Sequence, residues 1–581
     1  MRRCLVLMLL VGCGEKEPVG PKKTDKTVES TNEPDDTADA NDGNDALLAA
    51  AAALYAPDRV LEIALEMSLE DHEALAEETN DIFSLLEGDD CMDEPPKTAF
   101  NWYSADIVVD GEHFDNVGVR KKGLLGSLSS SKPGLKIEFD RFVDEQTLDG
   151  IERLTLNNSV SDPTLVRQCL GYQLFRDAGI PAPRCNFAHL TLNGEDLGVY
   201  VNVEPLKKTF LKWAFDGDDD GDLYEGTLSD FRDGWTATFE AKTNDTNVDL
   251  SPIHDVRQTL EIADDTQMLA ALEEEMELDK FYDFWVMELI IGHVDGHTGN
   301  TNNYYVYVPE DSGKLQFIPW GIDATFMNYA AYGSDASRIA FANSLLSRRL
   351  WEIPQSRDVY YERMEALLET VWNEAEILAE IDRMTVLVEP YALDDDGERT
   401  ANQDNLRDFV STRAADIEAL MELAPYEFDV ALRASVCLIE AGTLLLEFDT
   451  TWGTLQSPDP FNAGYGRISG TMDGVPFDRS GGAIAGMEGD KASFASIASI
   501  DASTVEAGVI SIPRADAMPG PLEIDGLTNM ASLVRIDITN GEETTLGTMW
   551  TGTLNLNEFT GVPGSVARGD LEGTLYTGGP F

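Results

Sequence analysis

Asp295, Asn300, Asn303 and Asp323 are the residues whose types and spacing could do chemistry. Asp295 stands just past an apolar helical stretch, in HVDGHTGNTNN. Asn300 and Asn303 follow it on the same loop, and Asp323 closes the strand-like run LQFIPWGID. An aspartate that accepts a hydroxyl proton, an asparagine on the same loop that takes Mg²⁺ and a later aspartate that takes Mg²⁺ are the parts with which a phosphotransferase holds a metal nucleotide. Two other readings compete. Asp-Gly and Asn-rich runs also make ordinary turns. His293, Asp295 and His297 spell H-x-D-x-H, a zinc pattern, but this spacing in a glycine-containing loop fixes no ligand geometry, and no Cys or His cluster elsewhere completes the set.

Those residues need elements to hold them. The spacing of Leu269, Leu272, Met276, Phe281, Phe284, Trp285 and Leu289 predicts one long core helix over 267–292, ending beneath Asp295. Upstream, 108–120 reads as strand, Asp110-Gly111 turn, strand, and enters the Gly- and Ser-rich run KKGLLGSLSSSKPG. Leu135, Ile137 and Phe139 then alternate with Lys136 and Glu138. A flexible loop that brings backbone N–H groups to phosphates, followed by a strand-borne lysine, is the other half of a nucleotide site. Asp162-Pro163 opens a predicted helix whose Leu165, Cys169, Tyr172 and Phe175 share a face, ending near Gly179. A hairpin around Asn193-Gly194 follows, then the connector Glu204-Pro205 and a helical stretch around Phe210 and Trp213.

In order, VGVRKKG, SKPGLKIEFDRF, LTLNNSVSDPTLVRQCLGYQLFRDAGIPAPR, LTLNGEDLGVYVNVE and the segment ending FIPWGIDATF resemble the CotH family of secreted and spore-coat atypical protein kinases, across about 57–428. The resemblance implies a divergent, two-lobed kinase-like fold that binds ATP with Mg²⁺ or Mn²⁺ and phosphorylates Ser or Thr of extracellular or coat proteins. It makes Asp295 the catalytic aspartate, Asn300 or Asn303 a metal ligand, and Asp323 the metal-binding acid. Lys136 becomes the phosphate-neutralising lysine, with Lys132 and Arg120 as rivals, and Glu204 joins the cofactor-binding set in the hinge-like connector. Two departures stand out. Members read Pro-Trp-Asp-hydrophobic-Asp where this chain has Gly321 in place of the first acid, and no Glu in helix 163–178 stands ready to pair with the strand lysine. Gln168 occupies a plausible place, and Glu138 or Glu152 could substitute. The competing reading from another class is a catalytically idle surface-binding, adhesion or structural lipoprotein that kept the fold.

Composition frames both. The chain has 581 residues, 43% of them hydrophobic, enough for two domains after a leader. Its net charge of -64 argues against nucleic acid and anionic membrane surfaces as partners and favours cations and basic proteins. Arg2 and Arg3 precede a short apolar run, and Leu10-Val11-Gly12-Cys13 resembles a bacterial lipobox. Residues 1–13 are therefore expected as a lipoprotein signal with Cys13 lipidated, and 14–56 as a disordered acidic, Pro- and Thr-containing tether, so that the membrane is met through the lipid anchor only and the protein is extracytoplasmic. Cys91, Cys169, Cys185 and Cys437 then permit two bridges in three pairings, among which Cys169 with Cys185 would clip a helix to the following strand. Asp216, Asp218 and Asp220 alternate as in a Ca²⁺ loop, yet Thr227 stands where the closing Glu should be. Residues 435–581 turn to Gly, Thr, Ser and short alternating runs, which predicts an all-β accessory domain, a sandwich or small barrel. The expected whole is an α+β kinase-like domain followed by that β domain.

Overall fold

The computed structural model describes residues 37–579 apart from 328–338 and the positions 99, 125, 126, 245, 394, 396, 424, 429, 430, 490, 527 and 540. The expected leader and lipobox, Cys13 included, lie outside the described residues. Of the expected tether, the part from residue 37 onward is helical: α1 (Thr37–Leu54) sends Ala51 and Leu54, with the following Tyr55, into a core. The alanine-rich run supplies helix propensity, and its few apolar residues find a surface to cover.

That surface is a closed barrel. Its strands are β1 (Val60–Met67), β2 (Tyr103–Val109), β3 (Glu112–Lys122), β4 (Gly134–Glu138), β5 (Arg153–Asn157), β6 (Cys185–Leu192) and β7 (Glu195–Val203), in the order β1-β2-β3-β4-β5-β7-β6, with β6 returning parallel to β1. Two hairpin turns set the register. Asp110 and Gly111 have φ of 49° and 89°, and Asn193 and Gly194 have 51° and 80°, the paired positive values that match a tight turn to strand twist. Leu61, Ile63, Leu135, Ile137, Leu154 and Leu190 fill the interior. Two short helices, α2 (Leu69–Glu77) and α3 (Ile82–Leu86), lie between β1 and β2.

A larger core follows. α4 (Arg167–Asp177) starts later than the Asp162-Pro163 signal predicts, because Asp162 accepts hydrogen bonds from the N–H groups of Thr164 (3.0 Å) and Arg167 (2.9 Å) and stabilises a turn first, with Leu165 at φ 69°. Cys169 on α4 is bridged to Cys185 on β6. After α5 (Lys208–Ala214) comes a four-stranded sheet, β11-β10-β8-β9, of β8 (Asp222–Gly226), β9 (Glu240–Ala241), β10 (Tyr304–Val308) and β11 (Gln316–Pro319). The helices are α6 (Ser251–Leu260), α7 (Asp265–Glu275), α8 (Leu278–Ile291), α9 (His297–Asn300), α10 (Leu345–Glu352), α11 (Pro354–Thr370), α12 (Glu374–Val388) and α13 (Glu398–Met421). The single helix predicted over 267–292 is thus two, α7 and α8. The break falls at Met276, which leaves the helix to bridge Leu315 ahead of β11. α8 is buried on nearly every side, as its apolar composition requires.

The C-terminal region is a barrel rather than a sandwich. Strands β12 (Leu438–Thr451), β13 (Gly464–Met472), β14 (Val475–Glu488), β15 (Lys491–Ser499), β16 (Thr504–Pro513), β17 (Gly520–Ile524), β18 (Met530–Asp537), β19 (Glu542–Glu558) and β20 (Val566–Gly578) pair antiparallel, and β19 with β20 closes the ring. Gly552 and Gly573 face each other there. A Cβ on Gly573 would lie 2.3 Å from the Thr551 carbonyl oxygen, so the two glycines mark a close backbone approach. A small apolar cluster of Ile82, Leu86, Trp235, Val436, Leu438 and Trp550 joins this barrel to the rest, and Cys91 is bridged to Cys437.

Candidate functional site

α8 positions the loop that carries Asp295. It ends at Gly292, whose φ of 75° suits a helix C-terminus. Arg413 on α13 donates to the last carbonyls, those of Leu289 and Ile290 (2.9 Å). The buried Glu288 accepts the N–H groups of His297 (2.9 Å) and Thr298 (2.8 Å), fixing α9 over the helix that precedes it. His297 packs among Tyr304 (4.4 Å between ring centroids), Phe317 (4.8 Å), Phe231 and Phe281, and burial pushes its imidazole down to about 3. His293 is equally buried, with Nδ1 3.4 Å from Glu288 Oε1. The zinc reading of His293, Asp295 and His297 therefore fails: the His297 ring belongs to an aromatic core. Among the described residues, the group of three whose potential ligand atoms converge within 4.8 Å is Asp106, His113 and Asp115, exposed on the β2–β3 hairpin.

Asp295 is 3% exposed and sits in a fork of side-chain amides. Asn300 Nδ2 donates to its Oδ1 (2.7 Å), Asn303 Nδ2 to its Oδ2 (2.7 Å), and Asn302 Nδ2 reaches both oxygens at 3.4 and 3.3 Å. Burial raises the Asp295 carboxyl well above its ordinary value. The Asn300 and Asn302 bonds oppose that, the Asp323 charge adds to it, and Arg433 opposes it. Asp323 is pushed up to about 6, first by burial and then by Asp162, with the nearby Lys122 ammonium acting in the opposite direction. The two aspartates and two asparagines singled out in the sequence are thus brought together, and Asn302, which the sequence reading passed over, joins them.

Gly321 explains part of this arrangement. Its φ is 54°, and a Cβ there would lie 2.3 Å from Asn303 Oδ1 and 2.6 Å from its Cγ. The Asn303 amide fills the space beside the position where the resemblance expects an acid. Asn303 Oδ1 is buried without a hydrogen-bond partner. A buried, unsatisfied amide oxygen next to two carboxylates is a donor set suited to a hard divalent cation. Asp323, Asn303 and Asn300 are the residues that would hold Mg²⁺ or Mn²⁺.

A cleft of about 400 Å³ lies alongside, lined by β3, β4 and β5 of the first barrel, by β8, β9 and β10 of the second sheet, and by the connector residues Pro205, Leu206 and Lys207. Lys122, Lys136, Arg153, Lys207 and Lys242 line it, with Lys242 paired to Glu225 (2.6 Å) and Glu240 (2.9 Å) and Arg153 to Glu138 (2.5 Å), which still leaves more bases than acids. In a chain of net charge -64 that local excess selects for an anion. Lys136 lines the cleft, and so does Lys122, the lysine coupled to Asp323. Lys122 Nζ donates to Asn157 Oδ1, and Asn157 Nδ2 donates to Gln168 Oε1 (2.7 Å) on α4. Lys122, rather than the Lys136 of the sequence reading, is thus linked to α4 through Asn157, with Gln168 at the far end. Glu138 is engaged by Arg153 (3.1 Å).

Other expected ligand-binding residues are occupied elsewhere. Lys132 Nζ donates to the Val199 carbonyl (2.9 Å) and lies over the Tyr200 ring, and burial pushes its ammonium down to about 8. Arg120 is buried against Trp102, 4.8 Å from the ring centroid. Glu204 is not at the cleft surface: Arg184 Nε (2.9 Å) and Trp213 Nε1 (3.1 Å) bond its carboxylate. Of the expected Ca²⁺ loop, only Asp218 is spent internally. Asp218 accepts from Tyr307 Oη (2.8 Å) and the Asp311 N–H (2.9 Å), Asp220 lies 3.5 Å from Lys208 Nζ, and Asp216 is exposed.

Residues 119–417 match the family described as "CotH kinase protein". The inner spore coat protein H of Bacillus subtilis (strain 168) is 24% identical over 292 residues, covering 47% of this chain and 79% of that protein. The inner spore coat protein H-like protein of the same organism is 24% identical over 289 residues, with 47% and 80% covered. Spore coat protein homolog 1 of Rhizopus delemar is 21% identical over 239 residues, 37% of this chain and 38% of that one. Among solved structures, the Helicobacter pylori proinflammatory kinase CtkA aligns at 10% identity and a TM-score of 0.26, over 51% of this chain and 93% of that one. HipA of Shewanella oneidensis MR-1, from a toxin–antitoxin complex, aligns at 12% identity and 0.25, over 52% and 63%.

Proposed function

Because this chain belongs to the CotH kinase protein family, we propose that it transfers the γ-phosphoryl group of ATP to a Ser or Thr hydroxyl of an extracytoplasmic protein, with the cleft between the first barrel and the second sheet as the interlobe nucleotide site of a two-lobed kinase fold. One observation carries the reading: Asp295, held by three asparagine amides, lies beside Asp323, and Asp323 is coupled to a lysine that lines a basic cleft.

Each group has a task that follows from its surroundings. The Asn300, Asn302 and Asn303 amides orient the Asp295 carboxylate, and its raised proton affinity suits it to accept the proton of an acceptor hydroxyl. Lys122 and Lys136 offset phosphate charge from the barrel side of the cleft, and the Lys122–Asn157–Gln168 chain sets the lysine against α4 as an ion pair would, without a second charge. Pro205 and Leu206 offer an apolar wall for the base. A divalent cation held by Asp323 and the asparagines supplies charge neutralisation at the phosphates. The acidic surface favours basic acceptor proteins.

We place the protein at a membrane through a lipid on Cys13. No helix among the described residues is long and apolar enough to cross a membrane. Replacing Cys13 by Ser should move the protein from the membrane pellet to the soluble extracytoplasmic fraction.

The enzymatic test is direct. Purified protein should melt at a higher temperature with ATP and Mg²⁺, because ligand binding to the native state stabilises it by mass action. It should transfer labelled phosphate to a Ser-containing basic peptide, and Asp295→Asn should lower transfer about 100-fold or more while keeping the melting response. An unchanged melt with ATP and Mg²⁺, together with no transfer, rejects the kinase reading in favour of a binding protein that kept the fold.

A further inference from the structure

The segment between α13 and β12 crosses the catalytic loop. It is pinned at several points: Trp351 Nε1 donates to the Tyr426 carbonyl (2.8 Å), Arg232 donates to the Arg433 carbonyl, Trp235 Nε1 donates to the Ala434 carbonyl (3.1 Å), and Cys437 is bridged to Cys91. Between these points Arg433 turns its guanidinium onto Asn300. Nη1 donates to Asn300 Oδ1 (3.3 Å), and Nη2 to the Asn300 carbonyl (3.4 Å) and Thr301 Oγ1 (3.3 Å). The group also lies 5.4 Å from the Trp235 ring centroid, beside Arg232, which is paired with Asp230.

Asn300 has one side-chain oxygen, and a guanidinium offers only donors. A divalent cation that uses Asn300 Oδ1 must share that one oxygen with the Arg433 guanidinium, and a cation so close to another is repelled. Asn303 Oδ1, by contrast, has no partner.

We propose that Arg433 is a built-in cation that competes with divalent metal at Asn300, so that full metal loading requires the linker to withdraw. The C-terminal barrel, attached to that linker and latched by Cys91–Cys437, then acts as a partner in cis that restrains the site. This rests on the reading of Asp323, Asn300 and Asn303 as the metal site.

Mn²⁺ titration of the full-length protein without nucleotide, followed by calorimetry and by the Mn²⁺ electron paramagnetic resonance signal, tests it. Arg433→Ala should bind Mn²⁺ about tenfold more tightly than the unaltered protein, equivalent to about 1.4 kcal/mol. Arg433→Lys, which keeps a charge but loses the forked contact, should fall between. Equal or weaker binding by Arg433→Ala overturns the proposal and makes Arg433 a support of the loop instead. If that variant does not fold, the paired variant Cys91→Ser with Cys437→Ser, which frees the linker's end, should show the same gain, and unchanged affinity there overturns the proposal equally. Asp323→Asn separates the two levels. If it binds Mn²⁺ as tightly as the unaltered protein, the metal is not at this site, and the site reading falls together with the role of Arg433.

Discussion

Gly321→Asp installs the acid that the family pattern carries, and the structure expects it to do harm. The residue sits at φ 54°, where a side chain costs about 1 to 2 kcal/mol. Its Cβ would lie 2.3 Å from Asn303 Oδ1, so the Asn303 amide must swing away and surrender its 2.7 Å bond to Asp295. A hydrogen bond to a charged group is worth about 1.5 to 3 kcal/mol. Together the penalty is about 3 to 5 kcal/mol, before any repulsion from a third carboxylate beside Asp295 and Asp323. In a domain of this size that lowers the melting temperature by at least roughly 5 °C. Differential scanning fluorimetry of the metal-free protein measures it. The double variant Gly321→Asp with Asn303→Ala should be no less stable than Gly321→Asp alone, since the Asn303 bond to Asp295 is already lost in the single variant, so the two substitutions should cost less together than the sum of their separate effects. A Gly321→Asp protein that melts within a degree of the unaltered one refutes the packing argument, because it would mean that the Asn303 side chain is free to yield at no cost.

Three further outcomes follow from the geometry. Lys122→Met should remove most of the melting response to ATP and Mg²⁺, whereas Lys132→Met should leave that response in place and lower only the basal melt; the reverse pattern would return the phosphate role to the loop lysine. His297 is held neutral in the folded state, with its affinity for protons pushed down to about 3, while the unfolded chain takes a proton near 6.5. Its contribution is therefore full above about pH 6.5 and declines as pH falls toward 3, by about 2 kcal/mol at pH 5; urea midpoints of the His297→Phe variant should show a shallower decline between pH 7 and 5, and an identical decline would remove His297 from the account. Asp295→Asn should not raise the melting temperature, because the relief of burying a neutral group is offset where its Nδ2 faces the asparagine amides that donate to Asp295, while phosphate transfer drops by a factor of about 100 or more; a variant that keeps transfer activity would show that Asp295 is not the base.

Much of the fold was legible because local signals were strong. The pairs Asp110-Gly111 and Asn193-Gly194 named their turns, and the alternation of Leu135, Ile137 and Phe139 named their buried face. Asp295, Asn300, Asn303 and Asp323 could be singled out from residue type and spacing because the first three share one loop, and the fold sets the fourth near them. What escaped the sequence was set by distant contacts. Lys122 lies in the same basic run as Arg120 and Lys121, and nothing in VRKKG says that Lys122 turns to the cleft while Arg120 packs on Trp102 and Lys121 bonds the Ala76 carbonyl; distant partners decide that. Glu204 looked like a ligand until Arg184, twenty residues away, was seen to occupy it. The helix over 267–292 broke at Met276 because tertiary pairing with Leu315 overrode an unbroken apolar period. Arg433 carried no motif, and its role exists only because the chain folds back over the loop from more than a hundred residues downstream.

The Cys91–Cys437 bridge also governs how force would travel through the molecule. It joins residues 346 positions apart, so everything between them, the catalytic loop included, forms a covalently closed ring. A pull applied between the N-terminus and the C-terminal barrel runs from the first strand through Cys91 straight into Cys437, and the ring hangs slack beside that path. The cleft between the first barrel and the second sheet would thus be mechanically bypassed under tension, and a single backbone cut anywhere within the ring would leave the two ends of the molecule joined.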